Sequence, residues 1–144
     1  AEVDAGVDER AEADREVAAG DLGLTYFKSQ RFDIQTKGDG SPVTIADQRC
    51  EQLLRESIES AFPDDSILGE EFPEKVGPSG YRWIIDPIDG TASFIHGVPL
   101  YGVLVAVERD RKSCVGVIHM PALDETVFAA TGAGAWHTVS GSTP

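Results

Sequence analysis

The stretch that most constrains this chain is Trp83-Ile84-Ile85-Asp86-Pro87-Ile88-Asp89-Gly90-Thr91-Ala92-Ser93-Phe94, an apolar run that ends abruptly in two carboxylates, a glycine and a hydroxyl. Ile84 and Ile85 show no polar alternation, which predicts a strand covered on both faces that delivers Asp86 to the edge of a hydrophobic layer. Two acidic groups at such an edge repel each other unless a cation joins them. Pro87 fixes one φ angle and bends the chain, so Asp86 and Asp89 can converge across a tight turn. Gly90 permits close backbone approach, and Thr91 to His96 can open a short helix whose leading N–H groups face the same point. Carboxylates for a hard cation beside amide donors for an anion describe a metal-plus-phosphate site.

Asp86-Pro87-Ile88-Asp89-Gly90-Thr91 resembles the signature of the inositol monophosphatase superfamily of Mg²⁺-dependent, lithium-sensitive phosphatases. Gly69-Glu70-Glu71, behind the short strand Ser66-Ile67-Leu68, and Thr44-Ile45-Ala46-Asp47, at a helix start, add two matches in the same order. The segments from Phe94 to Gly102 and from Gly116 to Glu125 resemble the histidinol-phosphatase branch more than the inositol branch. The resemblance runs from about Glu16 onward, and members of the superfamily continue beyond the equivalent of Pro144 into a second half. It therefore implies an α+β fold, the N-terminal part of the layered sugar-phosphatase architecture, with two helices packed on a mainly antiparallel sheet. Residues 1–144 would be its metal- and phosphate-binding domain.

The resemblance also implies roles. One Mg²⁺ is held by Glu70, Asp86 and the backbone carbonyl of Ile88. A second shares Asp86 and takes Asp89 together with an aspartate from the second half. Thr91 and Glu70 position a water that attacks phosphorus directly, Asp47 orients Thr91, and the N–H groups of Gly90 and Thr91 hold phosphate oxygens. The loop from Lys37 to Pro42 is implied to close over the metals, with its lysine approaching the site. Oxygen-only ligands with no cysteine or histidine nearby select Mg²⁺ over transition metals. Paired ions of this kind, about 3.5–4 Å apart, stabilise both entering and leaving oxygens of an in-line displacement. No covalent phosphoenzyme is implied.

Taken without the resemblance, several of these residues have plainer readings. Asp47 is the third helical residue after an N-capping Thr44, where the helix dipole favours a carboxylate. Glu70 and Glu71 alone would be a solvated acidic pair, and Lys37 a surface lysine. His96, His119 and His137 lack zinc-ligand spacing, Ser93 lacks a nucleophile-elbow setting, and Gly132 with Gly134 reads as a turn.

The net charge of −13 and a pI near 4.4 argue against nucleic acid or an anionic membrane as partner and suit a cationic substrate moiety or a divalent metal. Cys50 and Cys114 lie in apolar-periodic segments, which reads as reduced core thiols. No apolar run approaches the ~18 residues of a membrane span, and the acidic N-terminus is unlike a signal peptide, so a cytoplasmic protein is expected. A homodimer is left open.

Elsewhere, Ala1 to Ser29 carries an imperfect helical stripe interrupted by Gly20 and Gly23, with Glu9, Glu12, Asp14 and Glu16 on a solvated face. Phe32 to Thr36 alternates like a strand, and Lys37 to Pro42 is a loop. Thr44 to Phe62 is the best helix, with Ala46, Cys50, Leu53, Leu54, Ser57, Ile58 and Ala61 on one face. Leu100 to Val107, Ser113 to Met120 and Glu125 to Ala130 predict an antiparallel meander, followed by a short strand at Ala135-Trp136 and a polar tail from His137. The expected function is hydrolysis of a small phosphate monoester, histidinol phosphate first and inositol 1-phosphate second. A reading of another class is a non-catalytic metal- or anion-binding or assembly module.

Overall fold

A computed structural model describes residues 9–29, 33–38 and 42–139, with side chains described from Ala19 onward except at Pro42. The elements run α1 (Glu9–Ser29), β1 (Ile34–Thr36), β2 (Pro42–Thr44), α2 (Ile45–Ala61), β3 (Ser66–Leu68), β4 (Tyr81–Asp89), α3 (Thr91–Ile95), β5 (Gly102–Arg109), β6 (Lys112–Met120), β7 (Glu125–Ala130) and β8 (Gly134–Val139). Of the expected first helix, residues 1–8 lie outside the described residues, as do Phe32 of the expected strand, residues 39–41 of the loop and residues 140–144 of the tail. The side chains of the acidic face at 9–16 lie outside them too.

β3 to β8 form one six-stranded sheet in sequence order, while β1 and β2 make a separate two-stranded hairpin. β3 runs parallel to β4, and every later pair is antiparallel. This α+β arrangement is the expected fold. The polar tail is not a loop at its start, because residues 134–139 pair with residues 125–130 as a full strand.

Helices α1 and α2 lie over one face of the sheet. Ala19, Leu54 and Ile58 pack there against Ile67, Trp83, Ile85, Val103, Val105 and Val107. Gly20 does not break α1. A Cβ at that position would overlap the ring of His119 on β6, so the missing side chain lets the helix lie close on the sheet, which offsets its weak helix propensity. The expectation that Ile84 and Ile85 are both covered needs correction. Ile85 is buried, whereas Ile84 is half-buried, because successive strand residues point to opposite faces and the helices cover only one. Cys50 is buried, but Cys114 is only half-buried. Among the described residues no helix is long and apolar enough to cross a membrane.

Candidate active site

Three strand and helix ends meet at one edge of this fold. β4 brings Asp86 and Asp89, β3 leads into Glu70 and Glu71, and the start of α2 supplies Asp47.

The end of β4 is not a regular strand. Asp86 pairs with Leu104 and Asp89 with Gly102, so three residues advance on β4 while two advance on β5. Residues three apart on an ideal strand point to opposite faces, and this one-residue bulge reverses the parity so that both carboxylates reach the same side. Pro87, which has no N–H to place in the ladder, sits inside the bulge. Gly90 then adopts φ +84° at the start of α3, and a Cβ there would press on the Leu100 carbonyl oxygen at 3.1 Å. Only glycine meets both demands without strain.

Below this turn, Phe94 is wedged against Tyr101 edge-on at 5.0 Å and against Phe27 at 5.7 Å. Ala46 and Ile88 complete this small core, which fixes α3, and with it Thr91, against α2 and β4. Aromatic contacts of this kind add to the area they bury.

Asp47 is buried and serves two ends at once. Its Oδ2 accepts from the Thr44 N–H and from Thr44 Oγ1, both at 2.7 Å, while Thr44 Oγ1 accepts from the Ala46 N–H at 3.1 Å. That is a complete capping box. The other oxygen, Oδ1, lies 3.2 Å from Thr91 Oγ1, which also lies 3.1 Å from the Ile88 carbonyl oxygen. A hydroxyl has one proton, so donation to Asp47 leaves the Ile88 carbonyl with its lone pairs unspent.

Asp86 is the electrostatically stressed member. Burial pushes its carboxyl up to about 7, with Glu70, Asp89 and Asp47 adding repulsion and a hydrogen bond from the Ile88 backbone opposing. Its Oδ1 is buried and meets no hydrogen-bond donor among the described residues. Lys37 Nζ contacts Glu71 Oε1 at 2.7 Å and Glu70 Oε2 at 3.3 Å. The plain surface reading of that lysine is thus replaced by an ion pair beside the site. Burial lowers the ammonium's affinity for its proton, but Glu71 and Glu70 outweigh it and the net shift is upward.

The carboxylates approach without closing into a cage: among the described residues no three His, Cys, Asp or Glu side chains form a ready-made metal cluster. One residue that sequence reasoning missed also converges here. Glu51 on α2 is fully buried, and its only sequence signal is a charge inside the buried stripe Asp47, Cys50, Leu54 and Ile58.

The family model described as inositol monophosphatase family matches residues 7–141. A histidinol-phosphatase of Chlorobaculum parvum is 52% identical over 118 residues, 82% of this chain and 46% of that protein. An inositol-1-monophosphatase of Rhizobium meliloti is 38% identical over 116 residues, 80% of this chain and 44% of that protein. Among solved structures, the extragenic suppressor protein suhB from Bartonella henselae superposes with a TM-score of 0.86 at 32% identity, covering 90% of this chain and 51% of that one. This chain therefore spans about half the length of the relatives it matches. Matched over 7–141 and sharing half its aligned residues with one such relative, the chain belongs to the inositol monophosphatase family.

Proposed function

We propose that this chain carries the metal- and phosphate-binding part of a Mg²⁺-dependent phosphomonoesterase, with histidinol phosphate as first substrate and inositol 1-phosphate as second. The observation that carries this reading is the buried, unpartnered Oδ1 of Asp86, set among the charges of Glu70 and Asp89. Such an oxygen is costly to bury unless a cation meets it. The candidate donors are carboxylates and a carbonyl, hard oxygens that fit Mg²⁺.

Glu70, Asp86 and the Ile88 carbonyl would hold one ion, and Asp86 with Asp89 a second. A further aspartate, and the groups that select the substrate, would come from a second half in a protein of the relatives' length. When bound, the metal supplies charge neutralisation and Lewis acidity at the phosphoryl group. The chain's own residues do the rest. Thr91 Oγ1 donates its one hydrogen to Asp47 Oδ1, so the Thr91 oxygen is left to accept a hydrogen bond from the attacking water. Glu70 accepts the second proton of that water in a hydrogen bond, which fixes its direction toward phosphorus. The N–H groups of Gly90 and Thr91 receive phosphate oxygens.

Histidinol phosphate is favoured by the 52% identity to a histidinol-phosphatase and by the charge of −13, which attracts a substrate bearing an ammonium group. The test pairs turnover with binding. Phosphate release from both esters by the complete polypeptide should require Mg²⁺ and favour histidinol phosphate. In the 144-residue chain, Mg²⁺ at a hundred times its Kd should add about 2.7 kcal/mol of stability, and Asp86→Asn should abolish the gain. A melting shift without turnover on any ester would favour the non-catalytic binding module. An unmoved midpoint would remove the metal site.

A further inference from the structure

We infer that Glu51 is a positioning residue for the candidate metal site, holding the turn from Glu70 to Phe72 so that Glu70 presents its carboxylate beside Asp86. The inference rests on the metal-site reading above. Glu51 is 0% exposed, and its carboxylate is spent almost wholly on that turn. Oε2 accepts from the N–H groups of Glu70 at 3.0 Å and Glu71 at 2.7 Å. Oε1 accepts from the Phe72 N–H at 3.2 Å and from Arg55 Nε at 2.8 Å.

Arg55, one turn further along α2, completes the grip. Its Nη2 donates to the Phe72 carbonyl oxygen at 3.1 Å, and its guanidinium lies 5.9 Å from the centre of the Phe72 ring. One helical turn thus holds both the amide hydrogens and the carbonyl of a segment that belongs to no strand or helix. The preceding residue is fitted to the same purpose: a Cβ on Gly69 would overlap the Glu51 carboxylate.

The chemistry requires a carboxylate. Three converging N–H donors and a guanidinium need an acceptor-only group, and a buried anion is tolerable only when so satisfied. A glutamine would set its own NH₂ against one or more of these donors. Groups that orient ligands from behind are worth about 10–100-fold in metal affinity.

The test uses Mn²⁺ as the probe, with free ion counted by electron paramagnetic resonance, and amide hydrogen exchange as a metal-free readout. Glu51→Gln should weaken Mn²⁺ binding by about 10–100-fold and speed exchange at the Glu70 and Glu71 amides, while the Trp83 and Ile85 amides stay protected. Ile58→Val, buried on the same helix but away from the turn, should lower the melting temperature and leave Mn²⁺ affinity unchanged. Should Glu51→Gln fail to fold, Arg55→Ala carries the same two expectations in weaker form. Unchanged Mn²⁺ affinity in the folded Glu51 or Arg55 variant, with binding abolished by Asp86→Asn, would overturn the role of Glu51 and leave the metal site standing. Failure of the unsubstituted protein to bind Mn²⁺, or binding indifferent to Asp86→Asn, would overturn the metal site and this inference with it.

Discussion

The two faces of the six-stranded sheet both carry large apolar side chains and are opposite in cover. Beneath α1 and α2, Trp83 is 1% exposed and Ile85 2%, with Val103, Val105 and Val107 packed beside them. On the other face, Ile84, Leu104, Ala106 and Ile118 border an open trough of about 710 Å³ that runs up to Glu70 and Asp86, and Ile118 there is 44% exposed. The candidate site stands at the rim of the open face. Ile84 and Ile85, both apolar, do not say by themselves which face is covered, whereas the charged Arg82 and Asp86 on the Ile84 side mark that face as the open one.

The largest effect should come from the covered face. Trp83→Ala should cost about 3–5 kcal/mol in urea unfolding, since it empties the centre of the core and strips Asp65 Oδ2 of the indole N–H it meets at 2.8 Å. A cost below about 1 kcal/mol would break the contrast. A sharper version uses neighbours on one strand. Ile85→Ala should cost roughly 2–5 kcal/mol and Ile84→Ala only about 1 kcal/mol, because the second side chain leaves a face already open. Equal costs would mean that both faces are covered.

The smallest effect is a pH dependence confined to the covered face. His119 is buried with its Nδ1 2.9 Å from Thr126 Oγ1. Burial lowers its pKa below the ordinary 6.5, with the Glu125 backbone, Asp21 and Asp124 opposing. The folded state then holds the proton less readily than the unfolded one, so this contribution is complete above about 6.5 and is lost as pH falls toward the lower folded value. Thermal melts between pH 8 and pH 5 should show a steeper acid loss in the parent than in His119→Gln. Parallel curves would mean that His119 is not buried as a neutral ring.

What the sequence discloses is what is local. The capping box of Thr44 and Asp47 and the turn from Asp86 to Thr91 lie within a few residues, and their spacing carries their geometry. Glu51 stayed illegible because its partners are backbone N–H groups nineteen to twenty-one residues away, and any residue type except proline could have supplied those. β2 escaped notice because three residues beginning with a proline give no period to read. Gly20 looked like a weak point of α1 until the ring of His119, ninety-nine residues later, accounted for it. Lys37 shows the same limit, since its partners Glu70 and Glu71 are supplied by a different element.

The double duty of Asp47 has a consequence in time as well as in space. Its bonds to Thr44 span three residues, a loop that closes on the timescale of helix formation, well below a microsecond to about one. Its bond to Thr91 spans forty-four and waits for β4 to dock, because closing the longer loop costs more chain entropy. During folding the carboxylate is therefore aimed before its target arrives. The hydroxyl it orients is captured by a receptor already set, and the chain does not have to search for both halves of that contact at once.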